Sequence, residues 1–233
     1  MNQMTANTSE PEDTGALFLD IVARRRSMRD FKPDPVPTEI IESVFGGAQR
    51  APSNCNTQPW FVHVVTGETL ERLRAELPAK FAAGEIALDF PYDGQYEGVY
   101  KDRQYASATA LYDSLGIARE QKAERNAWFM RNFSFFDAPS VAFFTLPTGF
   151  GLREACDLGM FAQTVMLSLT AHGLGSCPQT ALAFLANVIR PTLGLGDHEQ
   201  LMFGMSFGFP TDTAVNEVRT DRAALKDVVT FHS

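Results

Sequence analysis

Residues 50–65 read RAPSNCNTQPWFVHVV, in which a polar loop runs directly into an apolar segment. The segment WFVHVV has the β-branched and aromatic content of a strand. The loop before it carries amides and hydroxyls between two prolines, namely Pro52, Ser53, Asn54, Asn56, Thr57, Gln58 and Pro59. Because prolines stiffen both ends, the polar groups of this loop are expected to be held in place.

The polar side chains of this loop have two possible uses. Each amide offers both a donor and an acceptor, so the set could bind the polar edge of a flat heterocycle. Asn and Ser also close Asx-type turns, which would explain any one of them without a ligand. The loop lies between a predicted helix and a predicted strand, where binding sites often form, and this favours a binding role for the whole set.

Outward from this loop, the sequence predicts a mixture of helices and strands. Helical periodicity appears in six segments, at about 15–27, 38–51, 68–77, 104–115, 119–132 and 152–171. Thr38 is expected to cap the second helix, and Gly173 to close the last. Besides residues 60–65, strands are expected at 140–146 and 201–209.

Three buried strands among six helices indicate an α+β layer fold. Because the strands alternate irregularly with the helices, a doubly wound sheet stays open as the alternative. Neither a Gly-x-Gly-x-x-Gly after a strand nor a Walker sequence is present, so the two commonest nucleotide-binding folds have no support.

Two segments lie outside this periodic pattern. Residues 1–14 look like a solvated tail, which leaves residues 15–233 as a single domain. Residues 80–103 show no period, which is typical of a lid over a site or of a partner-binding excursion. Tyr92, Tyr96 and Tyr100 in this segment could cover a flat substrate or be buried at a dimer interface, and both can hold together.

The composition excludes several partners. Lys plus Arg number 20 and Asp plus Glu 28, for a net charge of −8, so nucleic acid is not an expected partner. No apolar run approaches the ~20 residues that a membrane span needs, and the N-terminus lacks the pattern of a secretory signal. Three widely spaced cysteines and scattered histidines indicate neither disulfides nor a metal site. The cytoplasm is therefore the expected compartment.

The stretch RRRSMRDF, residues 24–31, is the most basic spot in this acidic chain. If it is extended, Arg25, Ser27, Arg29 and Phe31 share one edge, because side chains two apart point the same way. Guanidinium groups bind phosphate oxygens in pairs, and a hydroxyl can bind a third oxygen. Arginines near a helix C-terminus can instead complement the helix dipole. Four arginines in six residues repel one another without a nearby anion, which favours anion binding.

Taken together, four motifs in order give the chain a likeness to a known family. RRSMRDF, PSNCNTQPW, GLGSCPQTAL and RTDRAALKDVV resemble the flavin-binding segments of the nitroreductase family, and the likeness runs from residue 17 onward. That family carries an R-x-S-x-R-x-F segment and a P-S-x-x-N-x-Q-P-W-type loop at similar separation. The resemblance implies a central mixed or antiparallel sheet flanked by helices, in a homodimer whose two chains both contact the flavin ring.

The same resemblance implies roles for individual residues. FMN would be held at its phosphate by residues from both ends of the chain, which are Arg25, Arg26, Ser27, Arg29, Arg219 and Arg222. Its ring would lie along the loop residues Pro52, Ser53, Asn54, Asn56 and Gln58. The segment Pro178, Gln179 and Thr180 would bring backbone N–H groups toward the reactive flavin nitrogen. Many members have an acidic residue and a glycine after this proline, and that local charge is missing here.

The implied activity is electron transfer. FMN would take hydride from NAD(P)H and then pass electrons to a small-molecule acceptor, a nitroaromatic or quinone, by a ping-pong mechanism. Since the cofactor carries the chemistry, no catalytic side chain and no metal are expected. The alternatives are reductive dehalogenation by a related flavoprotein, a non-catalytic flavin-binding dimer, and a flavin-free domain whose arginines bind an acidic partner.

Overall fold

The computed structural model describes residues 13–233. In this part of the chain the helices are α1 Thr14–Arg24, α2 Thr38–Ala48, α3 Gly67–Ala82, α4 Gly98–Ser114, α5 Lys122–Met130, α6 Leu152–Ala171 and α7 Ala186–Leu193. The strands are β1 Phe61–Val65, β2 Ser140–Pro147, β3 Gly175–Gln179 and β4 Glu199–Gly208. The tail predicted for residues 1–14 lies outside the described residues up to residue 12, and Thr14 already begins α1.

The four strands form one antiparallel sheet in the order β1-β2-β4-β3. This confirms the predicted α+β fold with an antiparallel sheet, and it excludes the doubly wound alternative, which requires parallel strands. Over residues 13–233, no helix is both long and apolar enough to cross a bilayer.

Strand β2 is buried on both faces, because helices cover the sheet on each side. Ala142 and Phe144 face a core with α2 and α6, while Val141 and Phe143 face a second core with α3 and α7. Successive residues of a strand point to opposite faces, so a continuous apolar run is what a doubly covered strand requires. The sheet is therefore a rigid layer whose ends can support a site.

Several predicted boundaries are wrong. The segment GLGSCPQTAL was not among the predicted strands, but its middle forms the edge strand β3. Helix α3 passes through Pro78 to Ala82, and α4 begins at Gly98, so the irregular segment is only residues 83–97. Helix α7 was not predicted. Thr38 does not cap α2, because Pro37 occupies the N-cap position without a side-chain bond. Gly173 does follow the end of α6, with φ of +75°.

A strained turn leads into β2. Phe135, Phe136 and Asp137 have φ values of 61°, 53° and 62°, in the left-handed region that residues other than glycine rarely occupy. Arg74 of α3 closes this turn, since its guanidinium donates to Ser134 O at 2.6 Å and Ala138 O at 2.7 Å. These two hydrogen bonds fix the start of β2 against α3.

Helix α1 presents an apolar surface to solvent. None of its residues is buried, and Leu17, Phe18 and Leu19 are 50%, 55% and 65% exposed. The predicted apolar face of this helix therefore packs little against the chain's own core. An exposed apolar patch of this kind is typical of a surface that a partner covers.

Candidate functional site

The arginine-rich segment leaves α1 and runs as extended chain beside β3. Ser27 forms a bridge with Ser176, and the Met28 backbone N–H donates to Ser176 O at 2.9 Å. Phe31 forms a second bridge, with Pro210. The prediction of an extended segment is therefore confirmed. Met28 is buried at the sheet, whereas its neighbours on either side face outward.

A glycine permits this close approach. A Cβ on Gly175 would lie 2.5 Å from Met28 Cγ and 3.0 Å from Met28 Cβ. Any larger residue at position 175 would push Met28 away from the sheet, and with it the flanking residues of the arginine segment.

The arginines surround a cavity of about 720 Å³. Seven sequence-predicted phosphate or ring residues line it together, namely Arg25, Arg26, Ser27, Arg29, Pro178, Arg219 and Arg222. The structure thus brings the N-terminal segment, the end of β3 and the C-terminal tail to one place, although they are up to about 200 positions apart in the sequence.

Two helices complete the wall of this cavity with residues that the sequence analysis missed. Ser107 and Leu111 come from α4, and Gln163 and Met166 come from α6. Each pair is spaced by three or four positions, so both of its side chains lie on the same face of the helix. That spacing was the available signal, but ordinary core packing produces the same pattern.

Arg25 is a half-buried arginine in the wall of the cavity. Burial, followed by repulsion from Arg222, lowers the pKa of the Arg25 guanidinium. Within residues 13–233, Arg25 forms no ion pair with a carboxylate. By contrast, Arg26 is held by Glu217 at 2.9 Å. A bound anion would offset both the burial and the repulsion at Arg25.

Asn216 ties the two ends of the chain together. It is 1% exposed, and its Oδ1 accepts from the Arg29 backbone N–H at 2.8 Å. Its Nδ2 donates to Asp30 O at 2.7 Å and Thr211 O at 2.9 Å. Its backbone oxygen accepts from Arg26 Nε at 2.5 Å. The sequence carried no signal for this residue, because the contacts join positions almost 190 apart.

Asp30 anchors the far end of the same segment. Its carboxylate accepts from Arg131 at 3.0 Å and from Thr211 Oγ1 at 2.5 Å. Burial alone would raise the pKa of Asp30, but hydrogen bonds from Thr211 and Arg131 outweigh it, so the pKa lies below its ordinary value. A charged Asp30 therefore stabilises this end of the arginine segment.

The loop of residues 52–58 is strained and held from α6. Cys55, Asn56 and Gln58 have φ values of 50°, 56° and 47°, a conformation that persists only where the surroundings fix it. Buried Asp157 of α6 accepts from the Asn54 backbone N–H at 3.1 Å. None of the predicted loop residues Pro52, Ser53, Asn54, Asn56 and Gln58 lines the arginine cavity.

The end of β3 contributes one cavity residue and one structural residue. Pro178 lines the cavity, but proline has no backbone N–H, so any donation from this segment falls to Gln179 and Thr180. The Gln179 side chain is turned inward, where its Oε1 accepts from Ser206 at 2.5 Å and its Nε2 donates to Asn132 O at 3.0 Å. Gln179 therefore fixes the strand from within.

The sequence model of the nitroreductase family matches residues 22–209. The chain belongs to the nitroreductase family. It is 40% identical to nitroreductase NfnB of Mycolicibacterium smegmatis over 233 residues, which cover 99% of each chain. It is also 34% identical to a 4-nitrobenzoate reductase of Pseudomonas putida, covering 88% of this chain and 91% of that protein.

A solved structure gives the same result. The crystal structure of the FMN-dependent nitroreductase NfnB from Mycobacterium smegmatis in complex with NADPH superimposes with a TM-score of 0.90 at 41% identity. The match covers 94% of this chain and 99% of that one. The nitroreductase-like sheet and helices predicted from the sequence are thus confirmed.

In this nitroreductase-family chain, the predicted lid is held by hydrogen bonds at Asp89, and its tyrosines lie in more open surroundings. Asp89 accepts from the Leu201 backbone N–H and from Arg190, both at 2.7 Å. Beyond it, Tyr92 and Tyr96 border an open cavity of about 490 Å³. Tyr100 lies in the first turn of α4 and is 65% exposed. The arginine cavity has none of these tyrosines in its wall.

The remaining side chains that could react, such as Cys177 and His63, are engaged in packing or in hydrogen bonds of the fold. Burial raises the pKa of the Cys177 thiol despite the charge of Arg29, so the neutral form is favoured. His63 contacts Glu199 at 2.7 Å, and Thr145 donates to the same carboxylate oxygen. Among residues 13–233, no cluster of three His, Cys, Asp or Glu side chains could hold a metal ion.

Proposed function

We propose that the chain is an FMN-dependent NAD(P)H nitroreductase, which transfers electrons to nitroaromatic or quinone-like acceptors. The observation that carries this proposal is the arginine cavity beside the end of β3, in which Arg25 lacks an acidic partner among the described residues. NfnB and 4-nitrobenzoate reductase, which resemble this chain over most of its length, carry names of the same activity.

The cavity residues fit the phosphate of FMN. A phosphate carries close to two negative charges and three strong acceptor oxygens. Arg25, Arg29 and Arg222 supply guanidinium donors, and Ser27 supplies a hydroxyl. Arg26 and Arg219 both contact Glu217, at 2.9 Å and 3.6 Å. They would therefore contribute mainly positive potential and the position of the chain, and less direct binding of the phosphate. Among residues 13–233, the other three arginines form no ion pair with a carboxylate, so a bound phosphate would balance their charge.

FMN, when bound, would supply the redox chemistry that carries electrons from the reduced nicotinamide to the acceptor. The chain's own residues bind and orient. The arginines would hold the charged tail, and backbone N–H groups of Gln179 and Thr180, which follow the cavity residue Pro178, would stabilise negative charge on the ring. No side-chain nucleophile or proton donor is required for this role.

A homodimer completes the site in this proposal. The loop of residues 52–58 does not line the cavity of its own chain, yet it carries the amides that suit a flavin ring. The apolar face of α1 is exposed, as a surface covered by a second copy would be. The same loop of that second copy would close the ring side of the cavity, with Tyr92, Tyr96 and Tyr100 near the acceptor.

The organisation follows from the same proposal. Residues 15–233 act as one FMN-binding domain, and the small-molecule acceptor enters on the open side of the flavin. A cytoplasmic location suits Cys55, Cys156 and Cys177, which are free thiols.

The visible spectrum of the purified protein tests this function. We expect a yellow protein that bleaches when NADH or NADPH is added without oxygen, and that regains its colour when 4-nitrobenzoate is added. Protein stripped of FMN is the control, and it should oxidise neither nucleotide until FMN is restored. A colourless protein that binds no added FMN would refute the proposal.

A further inference from the structure

A second basic cavity opens beside the arginine cavity. It has a volume of about 230 Å³, and Ser107, Arg219, Thr220 and Arg222 line both cavities. Arg103 of α4 lines only the second one. The two cavities are thus adjacent, and the second one lies between α4 and the C-terminal tail.

The charges of this second cavity are unbalanced. Arg103 forms no ion pair with a carboxylate among the described residues, and its guanidinium carbon lies 5.8 Å from the ring centre of Tyr100. Arg222 donates only to oxygens of Thr220 and Asp221, among them the Thr220 hydroxyl at 2.8 Å. Asp221 is the one carboxylate residue in the lining. Arg219 contacts Glu217 at 3.6 Å, and Arg222 is shared with the first cavity, so Arg103 is the guanidinium that the second cavity leaves for an anion of its own.

The size and position of the cavity restrict that anion. Whole small-molecule ligands occupy pockets of about 300–1,000 Å³, so 230 Å³ suits only one end of a larger ligand. In the proposed function, FMN places its single phosphate in the first cavity. The reductant would have to bring its nicotinamide to the flavin ring, and the neighbouring second cavity offers a place for its other, phosphate-bearing end.

We propose that the second cavity binds the 2′-phosphate of NADPH, with Arg103 as the residue that distinguishes NADPH from NADH. This inference rests on the proposed function, because it needs FMN in the first cavity. A terminal phosphate is recognised by forked guanidinium donors and hydroxyls, which Arg103, Arg222 and Thr220 provide. NADH lacks this phosphate and would leave Arg103 without an anion.

Two measurements on the FMN-loaded enzyme test this inference. The first is kcat/KM for NADPH and for NADH with 4-nitrobenzoate as acceptor, in the wild type, Arg103→Gln and Lys101→Gln. Loss of one charge-assisted contact corresponds to about a tenfold or larger loss, so Arg103→Gln should lower the NADPH to NADH ratio by that factor. Lys101→Gln removes the same charge from the same helix and should keep the wild-type ratio.

The second measurement does not depend on turnover. Calorimetric titration with adenosine 2′,5′-bisphosphate and with AMP should show tighter binding of the bisphosphate to the wild type, and a preference at least about tenfold smaller in Arg103→Gln. Equal binding of both nucleotides to the wild type would overturn the inference, as would equal loss of NADH and NADPH activity in Arg103→Gln. A wild type that binds no FMN would instead refute the proposed function, which keeps the two failures distinct.

Discussion

Replacement of Asn216 by alanine tests how the two ends of the chain are held together. The substitution removes three buried side-chain hydrogen bonds, to the Arg29 N–H and to the carbonyl oxygens of Asp30 and Thr211. Each such bond contributes about 0.5–1.5 kcal/mol net, and more when its partner stays buried and unpaired. The expected loss is therefore about 3 kcal/mol in the free energy of unfolding. For a chain of this size, that loss corresponds to a fall of roughly 6–12 °C in Tm.

Denaturant unfolding of the FMN-free protein measures this effect without any contribution from the cofactor. The same variant should also bind FMN more weakly, because the backbone of Arg29 loses its anchor. Asn187→Ala, at an exposed position of α7, is the matched control and should stay within about 0.5 kcal/mol of the wild type. If Asn216→Ala were equally stable and bound FMN as the wild type does, the proposed link between tail and arginine segment would be wrong.

Three further substitutions test other supports of the site. Arg74→Ala should reduce the free energy of unfolding by about 3 kcal/mol, because the left-handed turn loses two charged hydrogen bonds; unchanged denaturant stability would contradict this. The pKa of Asp30 is depressed in the folded state, so its stabilisation is present above its unfolded pKa and is lost as pH falls below about 4. The free energy of unfolding of Asp30→Asn should therefore be lower than that of the wild type at neutral pH, and it should change less as the pH falls. The same pH dependence in both proteins would contradict the sign of this effect. Gly175→Ala should displace Met28 and weaken FMN binding in a fluorescence titration, and wild-type affinity would show that the sheet adapts.

The fold class was predictable because the sheet is covered on both faces. Strand β2 begins with SVAFFTL, a largely apolar run of the kind that a strand covered on both faces requires. Strand β3 escaped detection because Gly175, Ser176 and Pro178 have poor strand propensity. It forms because β4 supplies a template along its edge. Tertiary pairing thus outweighs local preference at that position.

The candidate site was predictable where its residues are neighbours in the sequence, and it was not predictable where they meet only in the folded chain. Arg25, Ser27 and Arg29 alternate on one extended segment, so the sequence itself placed them on one edge. Asn216 and Asp157 act through contacts across more than 100 positions, and neither residue belongs to a recognisable motif. Arg103 lies on a helix whose apolar pattern is weak, and only the folded chain shows that it lines one cavity together with Arg222.

The comparison of FMN with riboflavin tests the central claim most directly, because the two molecules differ only in the phosphate. We expect the wild type to bind FMN at least about 100-fold more tightly than riboflavin, given several charge-assisted hydrogen bonds. Combined Arg25→Ala and Arg29→Ala substitutions should abolish this preference, whereas Arg72→Ala with Arg119→Ala, outside the cavity, should preserve it. Equal affinity of the wild type for FMN and riboflavin would contradict the claim that the arginine cavity holds the phosphate.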